Sequence, residues 1–255
     1  MHEHHYALDT TWRTLLRDLE IVPANVLRRA GLPDDLFQQP SARLAPEHYY
    51  RLWDSLEAEA ADPLLPIRLC ESLRSESFSP LLFAALCSPN LLVAAQRIVH
   101  YKTLIGPIGL DVTPRADTVT FQLTWLDTPL LPPTSLVLLE LLFGVSIARM
   151  GTRELIRPTA VTTTVLPSSA TPYEDYLGTG IQRGTGHSIT FTLADATRPF
   201  LTSNEQLWSV FEPELRHRLA SLEASATTAQ RVRATLLESL PSGLPPLRPL
   251  PGSWP

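Results

Sequence analysis

A chain of 255 residues with 44% apolar and 18% charged residues can bury a core of its own, which excludes a disordered or fibrous polypeptide. A formal net charge of -5 at pH 7 argues against a surface that grips phosphate backbones, and the densest basic group, Arg216-His217-Arg218, is too short to track a duplex. Two cysteines, Cys70 and Cys87, exclude a disulfide framework or a metal quartet and read as reduced, buried thiols.

The first residues, Met-His-Glu-His-His-Tyr, lack the basic and then apolar layout of a signal peptide. The longest apolar run, Leu136 to Ile147, is interrupted by Glu140, Gly144 and Ser146 and falls short of the roughly 20 residues that span a bilayer. A cytoplasmic protein with no membrane partner is expected.

The first hundred residues show helical periodicity. Trp12, Leu15, Leu16 and Leu19 share a face before Pro23 intervenes, and Val26, Leu27 and Ala30 define a second helix that ends at Gly31. Pro46 opens a third, with Tyr49, Trp53, Leu56 and Ala60 in a stripe. Further helices are predicted near Leu64–Leu73 and Pro80–Leu86, then a longer one from Ser88-Pro89 to about Leu104 with Leu91, Ala95, Ile98, Tyr101 and Ile105 on one face.

Beyond Ile105 the period changes to two. Leu110 and Val112 predict a short strand, Pro114 to Asp117 a turn, and Val119, Phe121, Leu123 and Trp125 alternate with polar residues as in a half-buried hairpin. An almost wholly apolar helix follows from about Thr134 to Met150, buried on most sides. A second strand pair is predicted at Val161–Val165 and Ile189–Leu193. Between them Thr171-Pro-Tyr-Glu174 has capping-box spacing and starts a short helix ending at Gly178.

Two closing helices are expected. The first carries Trp208, Phe211, Leu215, Leu219 and Leu222 and is kinked or split at Pro213; the second is capped by Thr227-Thr-Ala-Gln230. The expected class is therefore α+β: N-terminal helices, an antiparallel ββαβαβ sheet with a buried helix packed on it, and two closing helices.

Glu140 is the first candidate for chemistry. Its helical neighbours are Leu136, Val137, Phe143 and Gly144, and a carboxylate there is costly to bury without a hydrogen-bond partner. It is either a ligand anchor or a core carboxylate satisfied by an arginine or by backbone. Phe143, Tyr101, Phe121 and Trp125 are candidates to line an apolar cavity beside it, or are plain core. His100 lies on a helix that precedes a sheet, an order weakly like that of haem-based gas sensors, but on the polar side with Gln96, Arg97 and Thr103. Gly178-Thr-Gly180 and Gly184-Thr-Gly186 match no phosphate-binding spacing and read as turns; His2, His4 and His5 read as a solvated terminus. Neither a nucleophile elbow nor a metal-ligand spacing is present, so no enzyme, cofactor or metal is expected.

Three segments carry a resemblance: Arg198-Pro-Phe-Leu-Thr-Ser-Asn-Glu205, Leu207-Trp-Ser-Val-Phe-Glu-Pro-Glu-Leu-Arg-His-Arg-Leu219, and Thr228-Ala-Gln-Arg-Val-Arg-Ala-Thr-Leu-Leu-Glu-Ser-Leu-Pro-Ser-Gly243. Together with the Ser88-Pro-Asn-Leu91 start and Tyr101, they resemble AraC-type transcription regulators, from about Leu15 to Gly243. In that family such residues close an N-terminal sensor domain and lead into helix-turn-helix units. Here Gly243 is followed by Leu-Pro-Pro-Leu-Arg-Pro-Leu-Pro-Gly-Ser-Trp-Pro255, whose prolines cannot fold as a helix-turn-helix.

The resemblance implies a ligand-sensing domain over 1–203 and closing or dimerisation helices over 204–240, while proline-rich composition predicts a disordered tail over 241–255. It further implies a small-molecule effector and a homodimer, or a heterodimer with related regulators, paired through Trp208, Phe211, Leu215, Leu219 and Leu222. Direct nucleic-acid binding by this chain is not expected. The alternatives are a non-functional truncated fragment and a haem-type gas sensor.

Overall fold

The fold is described from a computed structural model, which covers residues 5–8, 11–39, 42–73, 80–126 and 130–239, as backbone alone at 80 and 225–239. The tail expected at 241–255 lies outside these residues, as do His2 and His4.

The helical first part holds α1 (Thr11–Asp18), α2 (Pro23–Ala30), α3 (Pro46–Ala60), α4 (Leu65–Ser72), α5 (Pro80–Leu86) and α6 (Leu91–Tyr101). Their expected stripes are the buried ones: Leu16, Val26, Leu27, Trp53 and Leu56 are each at most 1% exposed. Proline sits in the first turn of α2 and α3, where its missing amide is no loss. Asn90 caps α6 by accepting from the Val93 amide at 3.0 Å, so this helix starts at Leu91 rather than Ser88. It passes into a 3-10 turn over Lys102–Leu104. Two short strands not foreseen, β1 (Tyr6–Leu8) and β2 (Ala42–Leu44), pair antiparallel, and the Ala7 amide donates to the Ile105 carbonyl at 2.7 Å.

The second part is a five-stranded sheet in the order β3 (Ile108–Pro114), β4 (Thr118–Trp125), β7 (His187–Thr192), β5 (Ala160–Thr163), β6 (Ile181–Arg183). Val119, Phe121 and Leu123 are buried with Ile189, Phe191 and Val161, while Gln122 and Thr124 are exposed, as the alternation predicts. On the buried face lies α7 (Thr134–Thr152). It is long and apolar enough to cross a membrane by composition, but most of it is buried inside the protein. A Cβ at Gly144 would stand 3.8 Å from the Phe121 ring, which places α7 against β4 at ordinary contact distance.

The α+β class holds, with three differences in detail. The sheet is mixed: β6 runs parallel to β5, joined to it through α8 (Ala170–Leu177), as a parallel pair requires a crossover. Thr171 lies inside α8 and its expected capping box does not form, because the helix begins two residues earlier, with Ser169 at the cap position. After the single-turn α9 (Leu193–Ala196), one helix, α10 (Glu205–Ser239), replaces the two expected. Pro213 is on its exposed side and Thr227-Thr-Ala-Gln230 is helical throughout.

Candidate functional site

Glu140 faces inward from α7, and its partner is neither arginine nor backbone. The Lys102 ammonium lies 2.5 Å from Glu140 Oε2, with the two side chains 5% and 13% exposed. Lys102 also stands 6.0 Å from the centre of the Phe143 ring. Its position follows from the end of α6, where Lys102 opens the 3-10 turn that leads into β3 and is buried against Glu140 of α7. A buried pair of this kind is costly to desolvate and is sustained only by close geometry.

Sequence reasoning missed Lys102, although one signal was available: it is the only lysine in the chain, whose other basic side chains are arginines and histidines. Tyr6 was also missed. Its ring stacks on Tyr49 at 3.9 Å and its hydroxyl lies 3.3 Å from that of Tyr50. Burial first, then the Tyr50 hydrogen bond and nearby negative charge including Glu140, hold the Tyr6 phenol well above the usual range.

Phe121 is 4% exposed, packs on Phe191 at 5.5 Å and lies beneath Gly144. Trp125 closes the same strand, paired with Ile108, and is half-buried. Its indole Nε1–H is buried without a hydrogen-bond partner among the described residues, as are the Trp53 Nε1–H and the Ser135 hydroxyl. The Trp125 ring meets His187 edge-on at 5.2 Å. His187 Nδ1 lies 3.0 Å from Thr163 Oγ1, whose own hydroxyl is 3.2 Å from the Val165 carbonyl. Burial lowers the His187 pKa, which favours neutral imidazole.

Tyr101 does not join this group. Although 2% exposed, it turns toward α10, with its ring 6.2 Å from Trp208. His100 is exposed and stacks edge-on against Tyr101 at 4.6 Å, and no cluster of three or more His, Cys, Asp or Glu occurs among the described residues.

The residues proposed to pair two subunits divide. Trp208 (9% exposed) and Leu215 (3%) are buried in this chain's own core. Phe211 is 39% exposed with its ring against Phe83 at 4.9 Å, and Leu219 and Leu222 are half-buried. Val210, 70% exposed beside Phe211, was not foreseen.

Residues 21–200 match the family model described as the arabinose-binding domain of AraC transcription regulator, N-terminal. Among solved structures, the chain is similar to transcriptional regulator CdpR from Pseudomonas aeruginosa, with a TM-score of 0.55 and 16% identity. That match covers 82% of this chain and 66% of the other, so the similarity is one of fold over just under two thirds of the solved regulator. No curated protein sequence matches.

Proposed function

Because the chain belongs to the family of arabinose-binding N-terminal domains of AraC transcription regulators, we propose that it is an effector-sensing and dimerising domain that receives a small molecule beside Glu140. The observation that carries this reading is the buried Lys102–Glu140 pair, set between α6 and α7 with Phe143 beside it. Phe121 and Trp125 extend the same side of the sheet, and the unpartnered Trp125 indole N–H supplies a donor for a polar ligand group. A charged pair beside the Phe143 ring, and a free donor on the Trp125 end of β4, suit a small effector that carries both polar and apolar parts.

The role is that of a non-enzymatic, cytoplasmic regulator. In this reading the sensing domain runs to 203 and the closing helix begins with 204. Pairing with a second copy, or with a related regulator, would use the exposed side of α10 around Val210 and Phe211. A thermal-shift screen of amino acids, sugars, fatty acids and aromatic acids tests the reading. A binder at a hundred times its dissociation constant should stabilise the fold by ~2.7 kcal/mol. Glu140→Gln and Trp125→Phe should reduce that shift while remaining folded. A shift unchanged in both variants would remove the site assignment.

A further inference from the structure

Two consecutive residues at the end of α6 hold two different parts of the molecule. Tyr101 packs on Trp208 of α10 and lies near the Arg216 guanidinium further along the same helix, which is itself paired with Glu212. Lys102 holds Glu140 of α7. A single planar peptide unit separates them, at the point where the helix tightens into its 3-10 turn. Displacing one side chain therefore moves the backbone that places the other.

The base of α10 is fixed to the same region. The Asn204 amide donates to the Cys87 carbonyl at 3.0 Å, and the Thr202 hydroxyl to the Leu86 carbonyl at 2.6 Å. Arg97, one turn before Tyr101, lies 4.1 Å above the Trp208 ring and 2.7 Å from Glu205, and donates to the Ser88 hydroxyl at 3.1 Å. Trp208 is thus gripped by two residues of α6, and of these only Tyr101 adjoins a residue of the ion pair.

We infer that Lys102 is a positioning residue that couples the effector site to α10: a ligand that changes what its ammonium pairs with shifts the end of α6, and Tyr101 passes the shift to Trp208 and Arg216. The coupling rests on reading the surroundings of Glu140 as the effector site. It is nevertheless a property of the chain without ligand, and coupling between two sites is reciprocal.

The sole lysine makes the test direct. Protein labelled with 13C-lysine gives side-chain methylene signals from Lys102 alone. Trp208→Phe and Arg216→Ala alter α10 and should each move the Lys102 Cε signal by more than its linewidth, whereas Arg198→Ala, on an exposed ion pair elsewhere, should leave it in place. In the reverse direction, Glu140→Gln should speed hydrogen exchange of the α10 amides between Trp208 and Arg216 by at least about fivefold, beyond any change in α2 and α3. A Lys102 signal unmoved in both α10 variants overturns the inference. So does faster exchange confined to α6 and α7, or spread evenly over the molecule. A failed effector screen would sink the site assignment and leave these ligand-free measurements standing.

Discussion

At the scale of single residues, Lys102 and Glu140 show why a buried pair differs from its halves. Removing the ammonium leaves a carboxylate largely withdrawn from water with nothing to answer its charge. Lys102→Ala should cost about 3 kcal/mol by urea denaturation, whereas Lys102→Met combined with Glu140→Leu should recover most of that loss. Equal losses in the single and double variants would show that the pair contributes only volume.

Cys70 makes a second prediction. Burial pushes its thiol up to about 12, aided by the charges of Glu140 and Glu71 and opposed by a hydrogen bond with Ser146 and by Arg149. A proton held more tightly in the folded state than in the unfolded one contributes stability that is intact below the unfolded value of 9.0 and declines from there toward 12. Stability should therefore fall between pH 9 and pH 12 more steeply in the wild type than in Cys70→Val. Burial also raises Cys87, and both thiols should resist a disulfide reagent at pH 8 until the chain unfolds.

At the scale of elements, α7 and α10 solve opposite problems. α7 is buried along most of its length and is held at its end by Arg149, which donates to the Ile156 and Tyr176 carbonyls at 3.0 and 2.7 Å. Its last turn meets Phe200 so closely that a Cβ on Gly151 would fall 2.5 Å from the ring's Cγ. Gly151→Ala should destabilise by about 1–3 kcal/mol, read as a lower denaturant midpoint with an unchanged slope. α10 is solvated along one side and tolerates Pro213 because only the Ser209 carbonyl loses its helical partner, and it can turn to water. Pro213→Ala restores that bond, so the thermal midpoint should rise; a fall would mean that the proline sets a bend required for packing.

At the scale of the whole molecule, the apolar stripe read on α10 serves two ends. Trp208 and Leu215 close the chain's own core, and Trp208→Ala should cost about 3 kcal/mol or more. Val210 remains open, and Phe211 is partly covered by Phe83. If this side pairs two copies, Val210→Asp should convert a dimer at micromolar concentration to a monomer in sedimentation, with the denaturant midpoint of the monomer intact. A wild-type chain that sediments as a monomer would remove the pairing proposal.

What could be read without coordinates was whatever rests on neighbours in the chain. A period of two in Val119 to Trp125, a period near 3.6 in Tyr49 to Ala60, and prolines in first turns follow from steric and solvation rules acting over a few residues. These determined the α+β class, the strand–helix alternation and the family resemblance. Ile181–Arg183 escaped because a three-residue edge strand is too short to show alternation, and its parallel mate is reached only through α8. Tertiary structure alone decided that Lys102 answers Glu140, that Tyr101 turns to α10 instead of toward Phe143, and which half of the α10 stripe is covered. Those outcomes depend on distances between residues far apart in the chain, where the cost of an unpaired charge or an uncovered ring can be met by any of several partners until packing selects one.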